Sequence, residues 1–448
     1  MATSQPKPKL LEQEFPSQPI PLYDDSAELT DGKNTIRGQA LIQISWYPSP
    51  YISVKFEYSV EYFSKNIKLN LDNIELKLTQ INLVPRMKVM LRCPSIYIIN
   101  GTEKRVFSGD LKEPFIQGRT DDFSSVTFYI TNFDFLFVKI FQYNVEDKER
   151  QVIFEYGDWH IVLAQSKYPL DFEKKLEAEG GYGITHICQI KRSDGKTFDL
   201  KEGYEIINAF IYYISFLRGI WIAPLCVLGF DAQENKILEE WRTPTLKADS
   251  WQSLYYSFSR HATEIIDAFS GFMKKWQDET WKEVIQNSIQ WYIESSKHTN
   301  GYNTSIILVH SALEKLAWTH LNSNNYISPD GFKKLTFDDK LRLLLKTLNI
   351  SLLPIDKNWE ITKLAKQNNW VTNELDSVNI IGQVRNLLIH PKISKKENNI
   401  KLTEIMMQEV FVVAHNYLLK CLLQLFDYPY GIDTYKNKLD KTKLFSNN

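Results

Sequence analysis

Ile52, Val54, Phe56, Tyr58 and Val60 alternate with Ser53, Lys55, Glu57 and Ser59. A two-residue repeat puts every apolar side chain on one face, which predicts a half-buried antiparallel strand. The pattern returns at Ile67, Leu69 and Leu71, breaks at Asp72-Asn73, and resumes at Ile74, Leu76 and Leu78, as hairpin partners would. Further strands are predicted at Val126, Phe128 and Ile130, at Phe135 to Phe141, and at Val152 to Tyr156 and Trp159 to Leu163, the last two separated by Gly157-Asp158. Such a series predicts a sandwich or an open barrel. Between Phe172 and Pro244 the pattern is mixed. Ile184 to Ile190 and Lys196 to Leu200 flank Ser193-Asp194-Gly195, a hairpin signal, and Glu202 to Leu217 reads as a helix.

After Ser250 the period changes from two to about 3.6 residues. Ile285, Ile289, Tyr292 and Ile293 share one face, as do Ile306, Val309, Leu313, Leu316 and Ala317 on the next helix. Thr336 with Asp339 resembles a capping box before Leu341, Leu344, Leu345 and Leu348. A fourth helix, about Glu374 to Ile389, packs through Ile380, Val384, Leu387 and Leu388. A fifth runs from Thr403 to about Phe426 and is apolar over most of its circumference, which suits a self-association face. The fold class expected is α+β, a β-rich domain followed by an all-α bundle. Its expected parts are a disordered segment 1–25 containing five prolines, a β-rich domain 26–250, a helical connector 251–281, a helical domain 282–430 and a basic tail 431–448.

Composition narrows the function. With 53 basic against 54 acidic residues the chain has no overall field to hold a long polyanion, so a nucleic-acid contact must be local. Cys93, Cys188, Cys226 and Cys421 form no CxxC pair or zinc-ligand spacing, and fit a reducing cytoplasm. Met1 to Glu14 lacks the apolar core of an export signal. Ile206 to Phe230 is long enough to span a bilayer, but Asn208, Arg218, Gly219 and Pro224 interrupt it. It reads instead as a buried helix, a turn at Arg218-Gly219 and a strand through Val227.

The chemistry gathers in Arg385-Asn386-Leu387-Leu388-Ile389-His390, followed by Pro391. A permanent cation and a group that titrates near neutrality suit the breaking of a phosphodiester. Five residues of ideal helix rotate by about 140°, which separates the two on a straight helix. Pro391 disfavours helix for the residue before it, so His390 is expected where the helix ends and its ring can swing towards Arg385. A helix C-terminus favours the imidazolium. In the alternative reading Arg385 salt-bridges within the bundle and His390 satisfies a helix-end carbonyl. Asn386 either orients the imidazole or a phosphate, or is an amide on an exposed face.

Five helices with Arg-Asn-x-x-x-His ending the fourth resemble the HEPN superfamily, over roughly residues 282 to 428. Its RNase members carry an R-x(4-6)-H motif. The resemblance implies a metal-independent endoribonuclease with catalytic Arg385, Asn386 and His390, no cofactor and no metal, acting as a homodimer through the helical domain. An acidic residue on a neighbouring helix can position the motif in that superfamily, which makes Glu314 a candidate; its alternative role is an i, i+4 helper on the helix surface. The whole chain, through Gly180-Gly181-Tyr182-Gly183-Ile184-Thr185-His186 and Ser215-Phe216-Leu217-Arg218-Gly219, is similar to ApeA-like bacterial proteins of antiphage defence and abortive infection. This implies a first domain that senses a phage-derived trigger or restrains the nuclease. The competing class is a non-catalytic module that binds a nucleotide or RNA or dimerises, beside a partner-binding β domain. Lys333, Lys334, Lys340, Arg342 and Lys346, or Lys436, Lys438, Lys441 and Lys443 in the tail, are candidate RNA-backbone contacts or simply solvated faces. His310 reads as a core histidine. His160, His186 and Cys188 have no metal-site spacing.

Overall fold

The computed structural model describes residues 11–60, 69–71, 74–79, 87–92, 94–99, 102–133, 151–167, 171–252, 262–297, 301–370, 376–389 and 400–428. The chain divides into two compact units, residues 1–260 and 261–448. The first is β-rich and the second helical, so the fold is α+β.

Seven strands form the first sheet: β1 (Ile20–Thr30), β2 (Thr35–Ser45), β3 (Tyr51–Val60), β4 (Ile74–Leu78), β5 (Met87–Leu91), β6 (Ser95–Ile99) and β7 (Thr102–Leu111). Their order is β3-β2-β1-β4-β5-β7-β6, and β3 also pairs with β7, so six of them close into an antiparallel barrel. The alternation fills the barrel's interior: Ile52, Val54 and Phe56 of β3 are buried there, as are Ile42 and Ile44 of β2 and Phe107 of β7. Gly109 stands where β7 lies between β3 and β5, and a Cβ there would run into the backbone of Met90. Strand β1 begins inside the segment 1–25 expected to lack structure. Its register shifts between Pro21 and Tyr23, so Ile20, Tyr23, Ala27 and Leu29 are all buried although their spacing is not a strict alternation. Residues 1–10 and the expected strand Phe135 to Phe141 lie outside the described residues, as does Ile67; Leu69 and Leu71 pack against the barrel core from outside its strands.

The second sheet runs β10-β11-β12-β9-β13-β14-β8 and is open. It comprises β8 (Phe115–Gly118), β9 (Ser125–Thr131), β10 (Gln151–Tyr156), β11 (Trp159–Gln165), β12 (Ile184–Arg192), β13 (Pro224–Phe230) and β14 (Lys236–Trp241). Tyr129, Ile184, Leu225 and Trp241 join the barrel's core. The short α1 spans Phe172–Glu179, and α2 (Leu200–Arg218) is packed on Phe154 by Phe210 and Tyr213, at 5.2 and 6.3 Å between ring centroids. With both faces covered, β9 and β13 read as nearly continuous buried runs. The strand expected over Lys196 to Leu200 is reduced to one bridge between Phe198 and Phe123. Asp199 and Glu202 form a capping box there and start α2 at Leu200 instead.

Both motifs singled out in the first unit meet in one polar hub. Asn132 sits at φ 51°, and its side-chain amide donates to the carbonyls of Gly181 and Asp249, both at 3.0 Å, while its Oδ1 accepts from Gly183 N at 2.9 Å. The buried Arg218 donates to the carbonyls of Asn132 (3.2 Å) and Gln252 (2.6 Å), and its guanidinium lies 4.6 Å from the Trp251 ring. Gln13 bridges Tyr182 O and Ile184 N, so the N-terminal segment is fastened to the same loop.

Eight helices of the second unit are described: α3 (Ala262–Gln277), α4 (Glu279–Ser295), α5 (Gly301–Ser323), α6 (Pro329–Lys334), α7 (Phe337–Thr347), α8 (Glu360–Gln367), α9 (Ser377–Ile389) and α10 (Glu404–Leu425). The segment expected as a connector is part of this core: Phe269 and Phe272 of α3 are buried, and Phe272 meets Phe426 edge-on at 5.3 Å. Thr336 caps α7 by accepting from Asp339 N at 3.2 Å. No described helix is long and apolar enough to cross a membrane.

Two predictions follow from buried polar groups. Asn132→Ala leaves two carbonyls and one N–H of the hub without their partner, at about 1 kcal/mol each, and is expected to lower the unfolding free energy by about 3 kcal/mol in denaturant titration. Burial pushes both His310 and His415 down to about 4, with Arg385 adding to the effect on His310. The native state therefore holds these rings neutral, and their contribution is complete above pH ~6.5 and lost as pH falls from there through about 4. His310→Phe should flatten the acid limb of unfolding free energy against pH, removing up to about 3 kcal/mol of its drop; an unchanged limb refutes the assignment.

Candidate catalytic site of the helical unit

The site is built where α5, α7 and α9 meet. Val378, Ile380, Ile381 and Val384 bury one face of α9 in the core, so its last turn carries Arg385 half-buried and Asn386 exposed at the surface. Leu387 and Leu388, expected in the core, are only partly buried. Arg385 Nη1 donates to Asn386 Oδ1 at 3.2 Å. His390 and Pro391 lie outside the described residues, which end on this side at Ile389.

Arg385 has neighbours that its own segment does not announce. His310 of α5 is buried and stacks on Phe337 of α7, with 3.7 Å between ring centroids and 27° between planes. Burial lowers its basicity most, the Arg385 and Lys340 charges lower it further, and Glu314 opposes them. Glu314 itself accepts from Lys340 Nζ at 2.6 Å, and that ammonium stands 4.6 Å from the centre of the Phe332 ring. The expected positioning residue is thus held by a lysine of α7 and shares an electrostatic neighbourhood with Arg385. The His310 Nε2 has no hydrogen-bond partner among the described residues.

The first turn of α7 also supplies Asp338. Its carboxyl occupies the space beside Gly382 of α9, where an added Cβ would collide with Oδ1. Burial, Asp376 and Asp339 push this acid up to about 6 against the pull of Arg342. Arg342 is ion-paired with Asp376, whose Oδ1 accepts from Val378 N at 3.0 Å at the start of α9. Neither His310 nor Asp338 was assigned to the site by spacing alone. The available signal was Gly382, a glycine inside a helix and three residues before Arg385.

The basic set expected to track an RNA backbone is largely engaged. Lys333 pairs with Asp330 at 3.3 Å, Lys340 with Glu314 and Arg342 with Asp376. The tail lysines lie outside the described residues. His160 pairs with Glu155 at 3.1 Å, His186 and Cys188 are buried in the second sheet, and no group of three or more His, Cys, Asp or Glu among the described residues is placed to hold a metal ion.

No solved structure matches the chain. The SPbeta prophage-derived uncharacterized protein YopA of Bacillus subtilis (strain 168) is 26% identical over 312 residues, which make up 66% of this chain and 65% of the relative's length. Residues 118–253 match the family model of the YopA central domain and residues 278–448 that of the YopA C-terminal domain, so over these two segments the chain is similar to YopA.

Proposed function

We propose that the helical unit is an endoribonuclease of HEPN type that cuts RNA in the cytoplasm by attack of the ribose 2′-hydroxyl, without a metal. The 2′-oxygen bonds to phosphorus, the bond to the 5′-oxygen breaks, and a cyclic phosphate remains. Arg385 stabilises the crowded phosphate, Asn386 orients it, and His390 carries a proton at the helix end, where the imidazolium is favoured. The observation that supports this reading is Arg385 in the last, surface-reaching turn of α9, beside the neutral His310 and the Glu314–Lys340 pair. Two chains paired through the helical unit would bring two motifs to one cleft. The β-rich unit restrains the nuclease or senses a phage-derived trigger; the prophage origin stated for the Bacillus relative fits an encounter with phage.

Purified protein incubated with structured RNA and chelator is expected to cut it, with the activity in the dimer fraction of a sizing column. Arg385→Ala and His390→Ala should each lose about 100-fold or more while keeping their circular dichroism. Undiminished cutting by either variant leaves the non-catalytic binding module as the reading, and full activity in the monomer fraction removes the pairing.

A further inference from the structure

Gly382 is an expensive residue to keep inside a helix, since glycine loses the most backbone freedom on folding. What it gains is a close approach: the space a Cβ would fill is taken by the Asp338 carboxyl of α7. On a helix, residues three apart are neighbours, so this carboxyl lies one turn before Arg385 on an adjoining part of the α9 surface. Asp338 is only partly buried, and among the described residues none donates a hydrogen bond to it. A structural carboxylate in such a place is ordinarily tied to a cation or to backbone N–H groups, as Asp376 is here by Arg342 and the first turn of α9. Asp338 has been left with acceptor capacity and an open side.

We propose that Asp338 is a catalytic residue of this chain, the base that removes the 2′-hydroxyl proton from an RNA substrate held at Arg385; this rests on the ribonuclease reading given above. The proton passes to the Asp338 carboxylate as the 2′-oxygen bonds to phosphorus, and the departing 5′-oxygen takes a proton from water. Proton count and charge balance, and Asp338 regains its starting state by giving its proton to the hydroxide so formed.

The surroundings suit this duty. Arg342 and Asp339 face Asp338 from its own helix, Asp376 from the segment entering α9. Glu314, Lys340 and His310 form the neighbouring cluster on α5 and α7. The acid lifted to about 6 is mostly ionised at neutral pH and still basic enough to accept a proton.

The test is the pH–rate profile of RNA cutting by the whole protein, measured for the wild type, Asp338→Asn, Gly382→Ala and Arg385→Ala, with folding checked by thermal melts. The wild-type rate should rise with pH through about 6 and level off. Asp338→Asn should cut about 100-fold more slowly at pH 7 and lose that rise. Gly382→Ala, which displaces the carboxyl without altering it, should show the same loss if folded; if it does not fold, the isosteric Asp338→Asn decides alone. Wild-type cutting that depends on Arg385 but keeps its rise in Asp338→Asn overturns the role of Asp338 and leaves the ribonuclease reading intact. Cutting that is absent, or indifferent to Arg385, overturns both.

Discussion

The approach of α7 to α9 at Gly382 is the constraint on which the candidate site depends. A side chain at that position would push α7 outward, and three other features ride on the same turn. Phe337 carries the stack on His310 of α5, Lys340 holds Glu314 of the same helix, and Arg342 is tied to Asp376 at the head of α9. Three helices are thereby fixed at one level, and Arg385 stands one turn beyond it. The glycine costs about 1 kcal/mol of helix stability relative to alanine. Burial of Leu341, Leu344 and Leu345 behind it offsets that cost several times over.

Much of the architecture was legible in the periodicity. Alternation at Ile52 to Val60 placed a strand and its buried face correctly, and the change to a helical period marked the second unit. Alternation says which face is buried and nothing about which strand comes to lie alongside, so closure of the barrel through β3 and β7 was not readable. The start of β1 was hidden by prolines and by a shift of register that breaks the two-residue rhythm. Lys196 to Leu200 looked like a strand because it follows a good turn, yet the Asp199–Glu202 capping box is a stronger local instruction. In the site, α9 itself followed from the apolar stripe, with Ile380 and Val384 buried as expected and Leu387 and Leu388 only partly so. Its companions did not: Asp338 sits in an acidic first turn of the kind that commonly serves the helix dipole.

The buried polar groups of the two units serve different ends. In the first, Asn132 and Arg218 spend their donors on backbone carbonyls of the 180–183 loop and of residues 249 and 252, which explains why two short motifs far apart in the chain are built as they are. Loop backbone brought into a core must have its hydrogen bonds completed, and a planar amide and guanidinium do so economically. In the second unit, His310 Nε2 has no hydrogen-bond partner among the described residues, a feature it shares with His320 Nε2 further along the same helix. A buried atom of that kind weakens a fold.

Charge at this corner bears on what it can hold. The chain as a whole is nearly neutral, and Lys333 and Arg342 are already matched with carboxylates. Around His310 the nearby charges are Arg385, Lys340 and Glu314, two cations against one anion, and burial keeps the imidazole from adding a third cation. Lys340 directs the Glu314 carboxylate to its ammonium, which ties α7 to α5 at the level where α9 reaches the surface.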